Sequence, residues 1–334
     1  MALFRRKQTE TAASEPETRA FPTPPPAPRP DGLRDFDEQR RYVLDLLNPL
    51  APFGVSLLDA VGLVLNESIQ AEQAWPASSI KEGDVLVRKG TRIHPRLVGL
   101  VAALGINKVI TRPRPRVAVI PVGRPSQALA GGRDLASYLV AAELQSLGAQ
   151  VWHVPGSAYD EPELAELIGD QMIRADLLVT TGGFEADEVS IEAVLSQIGV
   201  ADTAPVAITP GRQQGFALVG DDFVPLLALP SDPVAAHILL VTLAGPATRK
   251  LVGADTVLPA LERARVAQPV SVTPGLLTCA HVVASESGTL TFRPRRSGVD
   301  ALVSINRANG LALLSSKDGH IDIGTWVDYI PLDR

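Results

Sequence analysis

Between Arg116 and Gly253 the chain alternates short runs of consecutive apolar residues with stretches whose apolar positions recur at helical spacing. The runs are Arg116-Val-Ala-Val-Ile-Pro-Val122, Gln150-Val-Trp-His-Val154 and Asp176-Leu-Leu-Val-Thr-Thr-Gly-Gly183. The helical stretches are Asp134 to Leu147, Glu161 to Arg174 and Glu188 to Ile198. A strand that is apolar at every position, not at every second one, is buried on both faces, which predicts a parallel sheet with helices on either side. Right-handed βαβ crossovers give that arrangement. Ligands of such sheets bind beyond the carboxyl ends of the strands, here the loops Gly123 to Gly132, Thr180 to Asp187 and Pro210 to Gln214.

The flanks read differently. Tyr42, Val43, Leu46, Leu47 and Leu50 form one stripe of a helix that starts near Phe36, with Asp35 as its N-cap. A second helix is predicted over Leu57 to Leu65, a hairpin-like strand pair over Ile80 to Gly90, and helices over Pro95 to Gly105 and Val234 to Leu251. Asp255 to Arg265 reads as a helical linker. From Val266 onward, Leu290-Thr-Phe-Arg293, Ala301-Leu-Val-Ser-Ile305, Leu311-Ala-Leu-Leu314 and Thr325 to Ile330 alternate as strands of a small β domain. Residues 1–32, with Pro-Thr-Pro-Pro-Pro-Ala-Pro-Arg-Pro before Asp31, are predicted to be disordered and extended. The head Met1-Ala-Leu-Phe-Arg-Arg-Lys7 reads as solvated tail, or as a weak anchor for an anionic surface or a short peptide ligand. The expected division is a tail at 1–32, a helical and hairpin first domain at 33–112, an α/β domain at 113–254 and a β domain at 255–334.

Composition narrows the function classes. With 334 residues and a net charge of −6, and no basic stripe interleaved with aromatics, the chain is not expected to bind nucleic acid. The single cysteine, Cys279, excludes a disulfide framework and a multi-cysteine metal site. No apolar stretch is long enough to span a membrane, and no signal-peptide core follows the basic head, so a cytoplasmic location is expected. His94, His153, His237, His281 and His320 have no ligand spacing, and no Ser-His-Asp set is tied to a nucleophile turn.

Thr180-Thr-Gly-Gly183, Pro210-Gly-Arg212 and Leu229-Pro-Ser-Asp-Pro-Val234, in this order inside an α/β domain, resemble the molybdopterin molybdenumtransferase family (MoeA type, gephyrin E domain). The resemblance runs from about Phe36 to the C-terminus. It implies a three-layer, MogA-like molybdopterin-binding α/β domain, a helical N-terminal domain and a C-terminal β domain. It also implies a homodimer that handles molybdopterin, or nucleotide-linked molybdopterin, with Mg²⁺. The family's inserted β domain is missing, because Ala74-Trp-Pro-Ala-Ser-Ser79 joins its two flanks directly.

Several family positions carry other chemistry. A Thr-Gly-Asp-Glu turn becomes Val122-Gly-Arg-Pro125, and an arginine neither acts as a base nor ligates Mg²⁺. Asp134 matches the family and is also a good N-cap. Gly182 and Gly183 let the backbone approach a ligand, with amides entering the Glu188 helix placed to receive phosphate; two glycines equally make a plain tight turn. Asp187 aligns with the family's first aspartate and Val189 with its second acid, while Glu185 and Asp187 are the candidate Mg²⁺ ligands. Lys-Pro-Gly-Lys-Pro becomes Thr209-Pro-Gly-Arg-Gln213, leaving Arg212 as the anion-binding cation. Ser231 and Asp232 are, with Asp134, further ligand-binding candidates, and Asp232 replaces an asparagine. The implied function is molybdenum cofactor biosynthesis in a catalytically degenerate form, with Asp187 as the one catalytic candidate. The alternative is a non-catalytic homodimeric scaffold that binds peptide tails of cytoskeletal, division or membrane-associated proteins.

Overall fold

The computed structural model describes residues 20–74, 78–123, 134–154, 160–185 and 189–332. Its centre is a six-stranded sheet in the order Gln150–His153, Arg116–Pro121, Leu177–Thr181, Val224–Leu229, Gly215–Val219, Gly199–Asp202. The first four strands are parallel, and the last two add on antiparallel. Successive side chains on a strand point to opposite faces, and both faces are covered. Val117, Val119, Leu177 and Val179 pack beneath Phe36–Leu46, Leu135–Ser146 and the long helix after Asp232. Ala118, Ile120 and Leu178 pack beneath Glu161–Met172 and Ile191–Ile198. This is the expected three-layer α/β core.

The long helix runs Pro233–Leu239, Leu240–Ala244 and Gly245–Leu251, and its middle segment is a π-turn. Pro246 explains the widening, since a proline inside a helix has no N–H to donate and crowds the carbonyl one turn back. The Gly245 amide accordingly reaches back to the Leu240 carbonyl.

The C-terminal part is a closed barrel. Leu277–Ala284, Thr289–Phe292, Glu262–Val266, Trp326–Pro331 and Gly310–Leu314 pair in turn, and Gly310–Leu314 pairs back onto Leu277–Ala284. Ile208–Thr209, leaving the central sheet, adds a parallel strand to it. The segment 53–112 has its own small core around Leu57, Leu65, Ile93 and Val109. Among the described residues no helix is long and apolar enough to cross a membrane.

Several local expectations are corrected. Leu57 to Leu65 is a series of turns ending in the strand Val64–Leu65; Ser56 bonds Asp59 at 2.6 Å, and Gly62 takes φ +84°. In the 80–90 segment only Val85–Val87 is a strand, and it pairs upstream with Ile69–Gln70. Asp255 to Arg265 is not helical; it ends in the barrel strand Glu262–Val266. Ala301 to Ile305 lies in the helix Gly298–Asn306, where Ala301, Ser304 and Ile305 form the buried face. The helix expected from Glu188 begins at Ile191, capped by Ser190, whose hydroxyl accepts the Ala193 amide at 3.2 Å.

The proline-rich segment is docked from Ala20 onward, not disordered. Phe21 lies 5.9 Å from Phe216 in a stacked geometry and 5.9 Å edge-on to Tyr42. The Tyr42 hydroxyl donates to the Thr23 carbonyl at 3.0 Å, and burial pushes its phenol up to about 12. Arg29 donates to the Gly275 carbonyl of the barrel at 3.0 Å. Arg34 forms a bridge with Val206 and a buried ion pair with Asp202, which also accepts from Gln39 at 2.9 Å. The strap therefore ties the Phe36–Leu46 helix, the 202–207 segment and the barrel together. The apolar stripe of that helix, Phe36, Tyr42, Val43 and Leu44, is consumed inside this chain.

Phe21→Ala is expected to lower stability by about 1–3 kcal/mol, less than the roughly 3–5 kcal/mol for a fully buried phenylalanine, because Phe21 is half-buried. Urea denaturation followed by tryptophan fluorescence measures it. An unchanged midpoint would mean that the strap is undocked in solution.

Candidate functional site

The carboxyl ends of three parallel strands meet at one edge. The Val122 amide donates to the Thr181 carbonyl at 2.9 Å and the Gly182 amide to the Leu229 carbonyl at 2.9 Å, which sets the turns after these strands side by side. Gly182 and Gly183 both take positive φ, +99° and +85°, where a side chain is strained. At Gly183 an added Cβ would lie 2.9 Å from Ile191 Cβ and 3.0 Å from Val122 Cγ1. The pair thus makes a sharp strand exit held close against the following helix. Gly182 contributes its conformation, not its amide, which is already bonded.

Two of the candidate aspartates are engaged locally. Asp134 caps Leu135–Ser146, accepting the Ser137 amide at 2.6 Å, and the same oxygen accepts the buried Thr181 hydroxyl at 3.0 Å. Asp232 caps the long helix, accepting the Ala235 amide at 2.8 Å. Ser231, half-buried beside it, completes the Pro230 turn. Beside Asp134, His153 Nε2 lies 2.7 Å from Ser137 Oγ, and its ring stacks on Tyr138 at 4.3 Å. Burial holds this imidazole below its ordinary pKa, against the pull of Asp134.

Arg212 is exposed. Gly215 lies opposite Ala228, so the loop carrying Arg212 emerges at the same edge as the Thr181 and Leu229 turns. Gly211, at φ +111°, presses this loop against Leu239, and Gln214 donates to the Gly211 carbonyl at 3.1 Å. The peptide bond before Pro210 is cis. Glu185 is exposed; Asp187, Arg124 and Pro125 lie outside the described residues. Val189, at the position of the second acid, is buried with Ile191 and Val122. Among the described residues no three His, Cys, Asp or Glu side chains are gathered to hold a metal. The described residues thus fit an anion better than Mg²⁺.

Beneath this edge, between Thr209-Pro210 and the barrel, lies a cavity of about 450 Å³ lined in part by Cys279, His281, Arg293 and Arg295. Two residues read as scattered histidines meet here. His237 Nδ1 lies 2.8 Å from His281 Nε2, and both rings are buried. Burial lowers His237 to about 3, helped by His281, and lowers His281 to about 4. Burial pushes the Cys279 thiol up to about 12, so it stays protonated. No motif spacing joins residues 44 positions apart in sequence; only the barrel's docking brings them together.

No family model matches the chain. Molybdopterin molybdenumtransferases 1 and 2 of Mycobacterium tuberculosis are 34% and 28% identical to it over 203 and 204 residues, covering 59% and 54% of this chain. The matched regions are 48% and 49% of those proteins, so the chain spans about half the length of these relatives. The molybdopterin molybdenumtransferase of Staphylococcus epidermidis is 24% identical over 278 residues, 79% of this chain and 64% of its own. A molybdenum cofactor biosynthesis protein from Pyrococcus furiosus superposes with a TM-score of 0.72 at 22% identity, covering 90% of this chain and 100% of its own. A molybdopterin biosynthesis MoeA protein from Pyrococcus horikoshii OT3 gives 0.72 at 16% identity, with the same coverage. The chain is thus similar in sequence to MoeA-type molybdopterin molybdenumtransferases and shares the fold of MoeA proteins. Only the stretch 71–84 separates Ile69–Gln70 from its partner strand Val85–Val87, too short for the inserted β domain that the resemblance implies.

The histidine pair gives this chain a pH signature. Both folded values lie below the ordinary 6.5, so the unfolded chain binds protons that the folded chain excludes. Stability is expected to fall as pH drops from about 6.5 towards 4 and then 3, by at most ~1.4 kcal/mol per pH unit for each histidine. Urea midpoints at pH 7, 6 and 5 test this. A flat profile would show that the two rings are not buried together in solution.

Proposed function

We propose that the chain binds an anionic molybdopterin species, molybdopterin or its nucleotide-linked form, at the carboxyl end of the central sheet, and serves molybdenum cofactor biosynthesis without inserting the metal itself. The observation that carries this reading is how the charged groups are used there. Arg212 faces solvent, while Asp134 and Asp232 are held as helix caps.

In this reading Arg212 grips phosphate or molybdate oxygens through its planar fork, and the Gly182-Gly183 turn keeps the strand exit open for the ligand's approach. Bound molybdopterin would supply the dithiolene that receives molybdenum. Metal insertion asks for carboxylates around Mg²⁺ and for cations beside the dithiolene, preorganised in a closed cleft. Val189 is in the core, Thr209 stands where a lysine is expected, and the inserted domain that would form one wall of the cleft is missing. Groups that act as one unit do not fail independently, so little transfer activity is expected.

The scaffold alternative draws support from Phe53, Leu58, Val61 and Val85, apolar side chains left exposed in the first domain. They supply the apolar surface for a homodimer now that the Tyr42 stripe is buried within the chain. Light scattering at micromolar concentration is expected to give twice the chain mass, and a monomer would remove the dimer from both readings.

Arg212→Ala is expected to weaken molybdopterin binding about tenfold or more, the loss of one charge-assisted contact. In a strain lacking its molybdenumtransferase, the parent protein is expected not to restore molybdoenzyme activity at ordinary molybdate. Full rescue there would overturn the degenerate reading, and unchanged affinity of the Arg212 variant would move the ligand elsewhere.

A further inference from the structure

At the opposite, amino end of the central sheet, four arginines from three segments come together. Arg112 and Arg114 precede the strand Arg116–Pro121, Arg92 follows Val85–Val87, and Arg249 lies in the last turn of the long helix. Arg92 donates to the Leu147 carbonyl at the end of Leu135–Ser146, and a Cβ on Gly148 would sit 2.6 Å from its Nη1. Arg114 Nη2 lies 3.0 Å from the Cβ position of Gly62, whose amide bonds the Ile93 carbonyl next to Arg92. Arg112 donates to the Leu50 carbonyl. Leu147 and Arg249 share the wall of a cavity of about 570 Å³.

No carboxylate forms an ion pair with any of the four among the described residues. The acids on neighbouring elements are Asp255, whose amide bonds the Gly90 carbonyl, and Glu143 on the cavity wall. Burial and then Arg114 hold Arg92 below its ordinary pKa, and burial and then Arg92 do the same to Arg249. Cations that repel one another are commonly explained as offsets to helix C-termini. Two helices end here, and each terminus supplies about half a negative charge, so about one charge opposes four guanidiniums. Asp255 and Glu143 bring the opposing charges to about three, so the guanidiniums still outnumber them in a net-negative protein.

We propose that this rim binds the phosphate or pyrophosphate group of a small phosphorylated molecule, whose remainder enters the adjoining cavity. Guanidinium forks match the oxygen spacing of phosphate, and several of them around one group favour an anion of more than one charge. The cavity suits a part-apolar remainder, with Leu139, Val241 and Leu302 beside Ser146 and Asn306. The site lies across the sheet from Arg212 and does not depend on the molybdopterin reading.

The test is calorimetric titration of the full chain with inorganic pyrophosphate at fixed ionic strength. Saturable binding is expected in the parent protein, weakened about tenfold or more by Arg114→Gln and by Arg249→Gln, and unchanged by Arg212→Ala. Arg114 is exposed, so its variant reports on charge without a folding penalty, and cooperative melts check the Arg249 variant. The absence of saturable binding, or equal affinity in both glutamine variants, overturns the proposal. Loss of binding in Arg212→Ala alone also overturns it, placing the anion at the carboxyl end and leaving the molybdopterin reading standing.

Discussion

The two-residue strand Ile208–Thr209 is the seam on which the arrangement of the site depends. It leaves the central sheet after Asp202 and pairs with Leu277 and Thr278 of the barrel, while the Leu277 amide bonds the Ala207 carbonyl at 2.9 Å. One residue further on, the chain turns at Pro210 into the loop carrying Arg212. That loop cannot move without disturbing either the barrel pairing or the bridge between Arg34 and Val206. Behind the seam sits the buried Arg34–Asp202 pair. Such a pair adds little net stability over an apolar substitute, yet removing one partner strands a buried charge at a cost of about 3–5 kcal/mol. It therefore specifies the docking more than it strengthens it.

The sequence made the central layers legible because burial on both faces leaves an unbroken apolar run, as in Val117 to Ile120. The caps at Asp35 and Asp134 were legible because capping is local chemistry. Other segments deceived for identifiable reasons. Leu57, Ala60 and Leu65 are spaced as on a helix, but a chain of turns ending at Gly62 buries them as well. Ala301 to Ile305 is too uniformly apolar for its period to be read. Residues 20–34 have the composition of a free polyproline tail, and one side chain, Phe21, gives them an anchor that composition does not reveal.

At the site, the positive-φ glycines were legible and the fate of the acids was not. The resemblance set Val189 at the position of the second acid, and the fold buries it against Ile191. Asp134 read as either a cap or a ligand contact, and the structure adds to the capping bond a second one, from Thr181 Oγ1, that ties it to the neighbouring strand. The His237–His281 contact joins a helix of the central domain to a barrel strand. Long-range contacts of that kind follow from topology, which periodicity and motif spacing do not encode.

The distribution of charge at the carboxyl edge bears on the proposed role more than any single substitution does. At the carboxyl edge, Asp134 and Asp232 are bound to amides and one exposed cation stands free of an ion pair among the described residues. An active metal-transfer site needs the reverse: carboxylates free to coordinate, and cations fixed by their surroundings so that no reorganisation is required as charge moves. A carboxylate that caps a helix through one oxygen keeps the other for a second contact, so the amide bonds orient Asp134 and Asp232 and divide their charge between the helix and any ligand. An exposed Arg212 beside acids held at helix starts therefore suits the proposed anion-holding role better than metal coordination.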